Sequence, residues 1–305
     1  MKDKIIIFFI NLFSKELKNK IKQKIIYFKN KYPKIVVFFN GSFTTKDLTL
    51  EIEKKLGKDT FDFLMVHSSI NNLLPMYKGN VKELLDALIK YSEAKGITLV
   101  MPVFTLGKKN SGIEEYYLKK NIFNVDKTPT TVGLLNELFR RKKGVLRSIH
   151  PTHSIAAYGP KAEELTVNHH KNDTTFGKNT PFGIMDSYKT KVLGLGVYYY
   201  RNLTHVHVAE DLLKEDFPFP IERKYNIIPV KLINKDESTL YDLKCYTDSL
   251  SKSRDLTILK KYMGDSNLSQ WNYKGVPMFL ANARAVTYTL MEIAKEGKSI
   301  YKNKG

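Results

Sequence analysis

The chain has 305 residues, 42% of them hydrophobic, with 50 Lys plus Arg against 31 Asp plus Glu for a formal charge of +19. This length and apolar content support a real core in one large domain or two modest ones and exclude bulk disorder. The lone Cys245 excludes an intramolecular disulfide framework and a thiolate cluster, and fits a reducing cytoplasm. The charge predicts attraction to phosphates, nucleotides, nucleic acid or anionic lipid without choosing among them, and a skewed composition rich in Lys, Asn and Ile accounts for it equally well.

Residues 1–40 differ from the rest, with apolar groups alternating with lysines and few acids. The apolar run from Ile5 to Phe13 is too short to span a bilayer, and no small-residue cleavage site follows it. Leu17, Ile21, Ile25 and Phe28 share one helical face among lysines, which suits an interfacial helix at an acidic membrane. The competing reading is a helix packed on the protein's own core or on a partner subunit in a homodimer.

An α/β pattern begins after "NGSFTTKDL". "FDFLMVHSS" reads as a buried strand. In "GNVKELLDALIKYSEAKG", Asn80 and Glu83 have capping-box spacing ahead of Leu84, Leu85, Leu88 and Ile89 on one face. The strand "GITLVMPVFT" follows directly, so strand, helix and strand predict a parallel crossover unit. "TVGLLNELFRRKKG" reads as an amphipathic helix and "KTKVLGLGV" as another short strand. "YNIIPVKLI" and "STLYDLKCYT" read as antiparallel strands around a turn at "NKDE". "FLANARAVTYTLMEIAKEGKSIY" closes the chain as a helix. The expected architecture is α/β: a single large domain over residues 41–305 with a mostly parallel central sheet, flanking helices and a small antiparallel β insertion at about 212–275, preceded by the basic segment 1–40.

All seven histidines fall between positions 67 and 207. They occur as His67 at a strand end, His150 and His153 in "RSIHPTHS", His169 and His170 in "NHHKND", and His205 and His207 in "NLTHVHVAED". A catalytic zinc needs three or four convergent ligands, but "HVHVAED" lacks the helical H-E-x-x-H arrangement and Pro151 keeps "HPTH" out of a helix interior. No metal is expected. On a helix, His207 and Glu210 share a face three residues apart, so the carboxylate can hold the imidazole in one tautomer and make it a base toward an amine or hydroxyl. The competing reading is a surface contact worth a few tenths of a kcal/mol.

"HSS" offers hydroxyls and backbone N–H groups suited to binding, because the G-x-S-x-G elbow of a serine nucleophile is absent. "GLG" at 194–196 lacks the third glycine and following helix of a dinucleotide fingerprint and points to tight packing.

The segments "VHSSI", "LVMPVFT", "RSIHPTHSIAAYG", "FGKNTPFGIM", "VLGLGV" and "LTHVHVAED" stand in the order found in the aminoglycoside 3-N-acetyltransferase family, which the chain resembles from about Ser42 to the final helix. The resemblance implies a large α/β domain that binds acetyl-CoA or another acyl-CoA as cosubstrate and acylates an amine on an aminocyclitol or sugar. It assigns His207 and Glu210 as the catalytic pair, and His205 departs from it, standing where a small polar residue is usual. Pantetheine and phosphate contacts carry over to Ser68, Ser69, Pro102, Thr105 and Thr180, the last in place of a serine. Arg147, His150 and Ser154 match its "RSxHPxxS" loop and, with His67 and His205, are expected to shape the site.

A sugar amine is mostly ammonium at neutral pH, and only its free base attacks a thioester. His207 would take that proton, Glu210 would steady the imidazolium, and backbone N–H groups at strand ends would meet the oxyanion. Both substrates can be held together, so no acyl-enzyme is required. Aminoglycosides are polycations, whereas this chain is basic, which favours an anionic acceptor such as a nucleotide-linked amino sugar used in surface-polysaccharide synthesis. The alternative acceptor is the aminoglycoside antibiotic itself. The lysine-rich start suits work at the inner membrane face, with peripheral membrane contact and no nucleic acid partner. Outside this chemistry stand a noncatalytic basic protein that binds nucleic acid or lipid, and a metal-dependent hydrolase.

Overall fold

The structure, a computed structural model, describes residues 15–107, 112–219, 224–246 and 254–301. The apolar run from Ile5 to Phe13 lies outside them. Helix α1 (Lys15–Lys31) gives way to α2 (Pro33–Asn40), where Pro33 lacks the N–H that would continue the first helix. Leu17, Ile25 and Phe28 on α1 are exposed, as are Phe38 and Phe39 on α2. Helix α3 (Thr45–Leu56) starts in a Thr44–Asp47 capping box and buries Leu48, Ile52 and Leu56, spaced by four along one face.

Strand β1 (Phe63–Ser68) leads through the short α4 (Ile70–Leu73) into α5 (Val81–Lys95) and β2 (Thr98–Pro102), which pairs parallel with β1. The Asn80–Glu83 box forms as expected, with Glu83 N–H donating to Asn80 Oδ1 at 2.9 Å. It is worth about 1 kcal/mol. Leu84, Leu85, Leu88 and Ile89 are buried, each contributing about 1.5–3 kcal/mol.

Next come α6 (Ile113–Lys119), β3 (Ile122–Asn124), α7 (Leu134–Arg140), β4 (Leu146–Arg147), β5 (Ile155–Tyr158), α8 (Ala162–Thr166), α9 (Pro181–Ser187) and β6 (Thr190–Leu195). The chain continues with α10 (Tyr199–Asn202), α11 (His207–Leu213), β7 (Tyr225–Asn234), β8 (Glu237–Tyr246), α12 (Leu259–Tyr262), β9 (Leu268–Tyr273), β10 (Val276–Asn282) and α13 (Ala283–Lys295).

The large sheet has seven strands in the order β4-β5-β2-β1-β6-β10-β9. Direct parallel pairing occupies its centre, β2-β1-β6, and β5 and β10 run against the other five strands. The central strands are buried on both sides, as parallel strands between helix layers must be. Phe63, Met65, Val100 and Val192 point into one core layer, and Leu64, Val66, Leu99, Met101 and Leu193 into the other.

The hairpin β7–β8 turns at Lys235, with Asn234 opposite Glu237, and joins β3 in a separate three-stranded sheet around Phe123, Val230, Leu243 and Cys245. Two differences from the sequence reading stand out. Strand β9, inside the stretch expected to be inserted, is the edge strand of the large sheet. "FLAN" is the end of β10, and α13 starts only after it because the Asn282 side chain caps the Ala285 N–H.

Candidate active site

The carboxyl ends of the parallel strands form one edge. Ser68 pairs with Leu195, so β1 and β6 finish together, and Ser69 N–H donates to the Leu195 carbonyl at 2.9 Å. Beyond Gly196 the chain runs through α10 and a 3-10 turn, Thr204–Val206, into α11. A Cβ on Gly194 would come within 2.2 Å of the Phe279 ring, and one on Gly196, at φ +71°, within 2.6 Å of the Ser69 carbonyl. The "GLG" stretch is therefore a close-packing device.

The turn separates the two histidines of "HVH". His205 is fully buried, and its Nε2 faces Asp186 Oδ1 of α9 at 3.0 Å. Burial pushes the Asp186 carboxyl up, but the His205 hydrogen bond and nearby positive charge hold it below its ordinary value overall. His207 opens α11 and retains 18% side-chain exposure. Val208 and Ala209 anchor its helix in the core.

His207 Nδ1 lies 2.9 Å from Glu210 Oε1, one turn along the helix. Glu210 is buried, and the same oxygen accepts the Tyr301 hydroxyl at 2.7 Å. On the other side of the ring, an Arg254 Nη1–H donates to His207 Nε2 at 2.7 Å. Arginine only donates, so Nε2 must present its lone pair. The proton then sits on Nδ1, facing Glu210: a neutral imidazole held in the tautomer that a general base needs.

The ring also packs on Phe176, at 5.1 Å between centroids, and Phe176 in turn packs on His153 at 5.2 Å. Asp211 fixes that loop by accepting the Phe176 N–H at 2.7 Å, so the two adjacent acids have separate tasks. Burial pushes the His153 imidazole down to about 3, helped by His207 and His169.

The "RSxHPxxS" loop is a buried scaffold. The Arg147 guanidinium donates to Ser154 Oγ and to the carbonyls of Val103, Val125 and Thr128, and lies over the Phe123 ring at 4.8 Å. Burial lowers its pKa to about 10. Ser154 Oγ donates to the Val103 carbonyl, which ties the loop to the end of β2. His150 Nδ1 accepts the His153 N–H at 3.0 Å, closing the turn that brings His153 toward Phe176. His67 is buried at the end of β1, and burial pushes its imidazole down to about 3.

Ser68 and Ser69 are half-buried at the strand end, and the Ser68 hydroxyl approaches Asn136, whose amide donates to the Pro102 carbonyl at 2.6 Å. Pro102, Thr105 and Thr180 are enclosed: the Thr105 hydroxyl donates to the Pro129 carbonyl and the Thr180 hydroxyl to that of Gly177, where Thr180 also caps α9. None of these five residues makes a hydrogen bond to His207 among the described residues. A cleft lined by Asp62, Lys189 and Arg284 opens at the opposite ends of β1 and β6 and takes no part in this site. Sequence spacing found His207 and Glu210. Tyr301 and Arg254, 91 and 47 positions from their partners, carried no local signal.

The chain is thus an α/β protein that holds an imidazole against a buried carboxylate in the helix beyond its strand ends. The family model for aminoglycoside 3-N-acetyltransferase matches residues 65–294, and the chain belongs to that family. It is 31% identical over 179 residues to the SPbeta prophage-derived aminoglycoside N(3')-acetyltransferase-like protein YokD of Bacillus subtilis (strain 168), covering 54% of this chain and 64% of the relative. It is 29% identical over 177 residues to aminoglycoside N(3)-acetyltransferase III of Acinetobacter baumannii, covering 54% and 60%. The matched stretch thus spans less than two thirds of either relative. The solved structure described as AAC-IIIb binary with CoASH shares the fold, with a TM-score of 0.63 at 19% identity over 86% of this chain and all (100%) of that one.

Proposed function

We propose that this chain transfers an acyl group from an acyl-CoA to the amine of an amino sugar, with His207 as general base and Glu210 and Tyr301 holding it. The carrying observation is the imidazole fixed by Glu210 at 2.9 Å in a fold that, in a relative, binds CoASH. His207 Nε2 takes a proton from the acceptor's amine as the nitrogen attacks the thioester carbonyl. The tetrahedral intermediate collapses with cleavage of the C–S bond, and the imidazolium returns its proton to the departing CoA thiolate, leaving an amide and free CoA. Glu210 stabilises the transient imidazolium, and backbone N–H groups at the strand ends meet the oxyanion. Ser68 and Ser69, half-exposed, suit the amide-bearing arm of the donor, whereas Pro102, Thr105 and Thr180 shape its channel from behind.

The acceptor that best fits the +19 charge is a nucleotide-linked amino sugar of surface-polysaccharide synthesis, with the aminoglycosides named by the relatives as the second reading. Release of free thiol from acetyl-CoA, followed against both acceptor classes beside His207→Ala, tests the assignment. Loss of about 100-fold or more in kcat with CoA affinity retained supports it. Full turnover by the variant refutes it.

The basic N-terminal helices support a peripheral contact with anionic membrane from the cytoplasmic side. Phe38 and Phe39, 83% and 78% exposed, present an aromatic pair on α2, the helix that follows the lysine-rich α1. Among the described residues no helix is long and apolar enough to cross a membrane. Cosedimentation with anionic but not zwitterionic vesicles, abolished in Phe38→Glu/Phe39→Glu, is expected. Equal recovery with both vesicle types, or a dimer covering these rings in analytical ultracentrifugation, would exclude it.

A further inference from the structure

Arg254 is anchored before its side chain is considered. Its backbone forms an antiparallel bridge with Tyr301, and the next N–H, of Asp255, donates to the Ile300 carbonyl at 2.6 Å. Asp255 then caps a 3-10 turn by accepting the Thr257 N–H at 3.0 Å. The strand segment that delivers Tyr301 to Glu210 therefore also delivers Arg254 to His207.

The guanidinium sits where the attacking amine must place its proton, on Nε2 of the base. It is half-buried, and it makes no ion pair among the described residues. A guanidinium whose side chain meets only an imidazole nitrogen among the described residues has most of its donors unsatisfied. A phosphate offers it two charge-assisted hydrogen bonds, each roughly twice as strong as a neutral one. A polycationic acceptor meets like charge at the same place.

We propose that Arg254 is the acceptor-selecting residue: it covers the His207 base in the free enzyme, moves to an anionic group on the incoming acceptor, and so uncovers Nε2 only for an amine that arrives with a phosphate. This rests on the acyltransfer reading above and names the acceptor class for that site, a phosphate-bearing amino sugar. Attraction of the acceptor and exposure of the base are thereby coupled, because both depend on one guanidinium.

The test compares wild type, Arg254→Ala and Arg254→Lys in the thiol-release assay, with a nucleoside-diphosphate-linked amino sugar and an aminoglycoside as acceptors. For the anionic acceptor, KM should rise by about tenfold or more in Arg254→Ala, with partial recovery in Arg254→Lys, while KM for the aminoglycoside falls or holds. An activity-independent arm titrates inorganic pyrophosphate into CoA-saturated protein by calorimetry. Binding by wild type that weakens about tenfold in Arg254→Ala supports the proposal. Turnover or pyrophosphate binding in which Arg254→Ala leaves the preference between acceptors unchanged overturns the Arg254 assignment alone. No CoA binding by wild type, with no thiol released from either acceptor, overturns the acyltransfer reading beneath it.

Discussion

Tyr301 donates its hydroxyl to Glu210 Oε1 at 2.7 Å, the same oxygen that faces His207 Nδ1 at 2.9 Å. The phenol keeps that buried carboxylate from rotating away from the imidazole. Replacing Tyr301 by Phe removes one hydrogen bond to a charged, buried acceptor, a loss of about 1.5–3 kcal/mol. The expected outcome is a fall in kcat of about tenfold, with KM for the acyl donor nearly unchanged and a lower thermal midpoint. Steady-state kinetics beside calorimetry of CoA binding checks it, and unaltered kcat would remove Tyr301 from the site.

Arg147 joins the loop before β5 to the end of β2 and to the segment between β3 and α7. In Arg147→Ala the carbonyls of Val125 and Thr128 lose their donor inside the protein, each at a cost of about 1–3 kcal/mol, and that of Val103 keeps only Ser154 Oγ. A destabilisation of about 3 kcal/mol or more is expected, and Arg147→Lys should rescue little because a single ammonium cannot span these acceptors. Urea unfolding should show a lowered midpoint with an unchanged slope. A midpoint equal to wild type would contradict the scaffold role.

Burial pushes the imidazoles of His67 and His169 down to about 3, and His150 well below its ordinary value. In the unfolded chain each takes up a proton near pH 6.5. The folded pKa is the depressed one, so this stability is complete above about pH 6.5 and is lost progressively as pH falls toward about 3, by up to about 1.4 kcal/mol per histidine per pH unit. Thermal midpoints should be level from pH 8 to 7 and drop steeply between about pH 6 and 4.5. A flat profile to pH 4.5 would show that these rings are not held neutral.

Gly194 lies against the face of Phe279, where an added Cβ would sit at 2.2 Å. Gly194→Ala should cost about 1–3 kcal/mol by overpacking. The companion Phe279→Leu should recover part of it, a coupling that a double-mutant cycle measures. Strict additivity of the two effects would argue against direct contact.

Much of this molecule was legible from short-range patterns. The capping box at Asn80, the alternation in β7 and β8, and the His207–Glu210 face all depend on neighbours within four residues or on one turn. The edge position of β9 and the strand ending in "FLAN" depend on pairing with distant partners, which period alone does not reveal. At the site, the residue at 205 was legible as a departure from the family pattern, but its bond to Asp186 needed the docking of α9. His153 was visible in the motif without a role, because its relation to His207 runs through the Phe176 ring. Arg254 and Tyr301 belong to segments that meet only after the large sheet is complete.

The distance in sequence between Glu210 and Tyr301 also sets a clock. At translation rates of about 5–20 residues per second, the 91 positions between them take roughly five to twenty seconds to emerge. Over about the first half of that interval a nascent chain carries the imidazole and its carboxylate without the guanidinium that covers the ring, and to its end it lacks the phenol that steadies them. Ribosome-bound chains halted before Tyr301 should therefore release thiol at least about tenfold more slowly than the finished protein, even where the central strands have already folded.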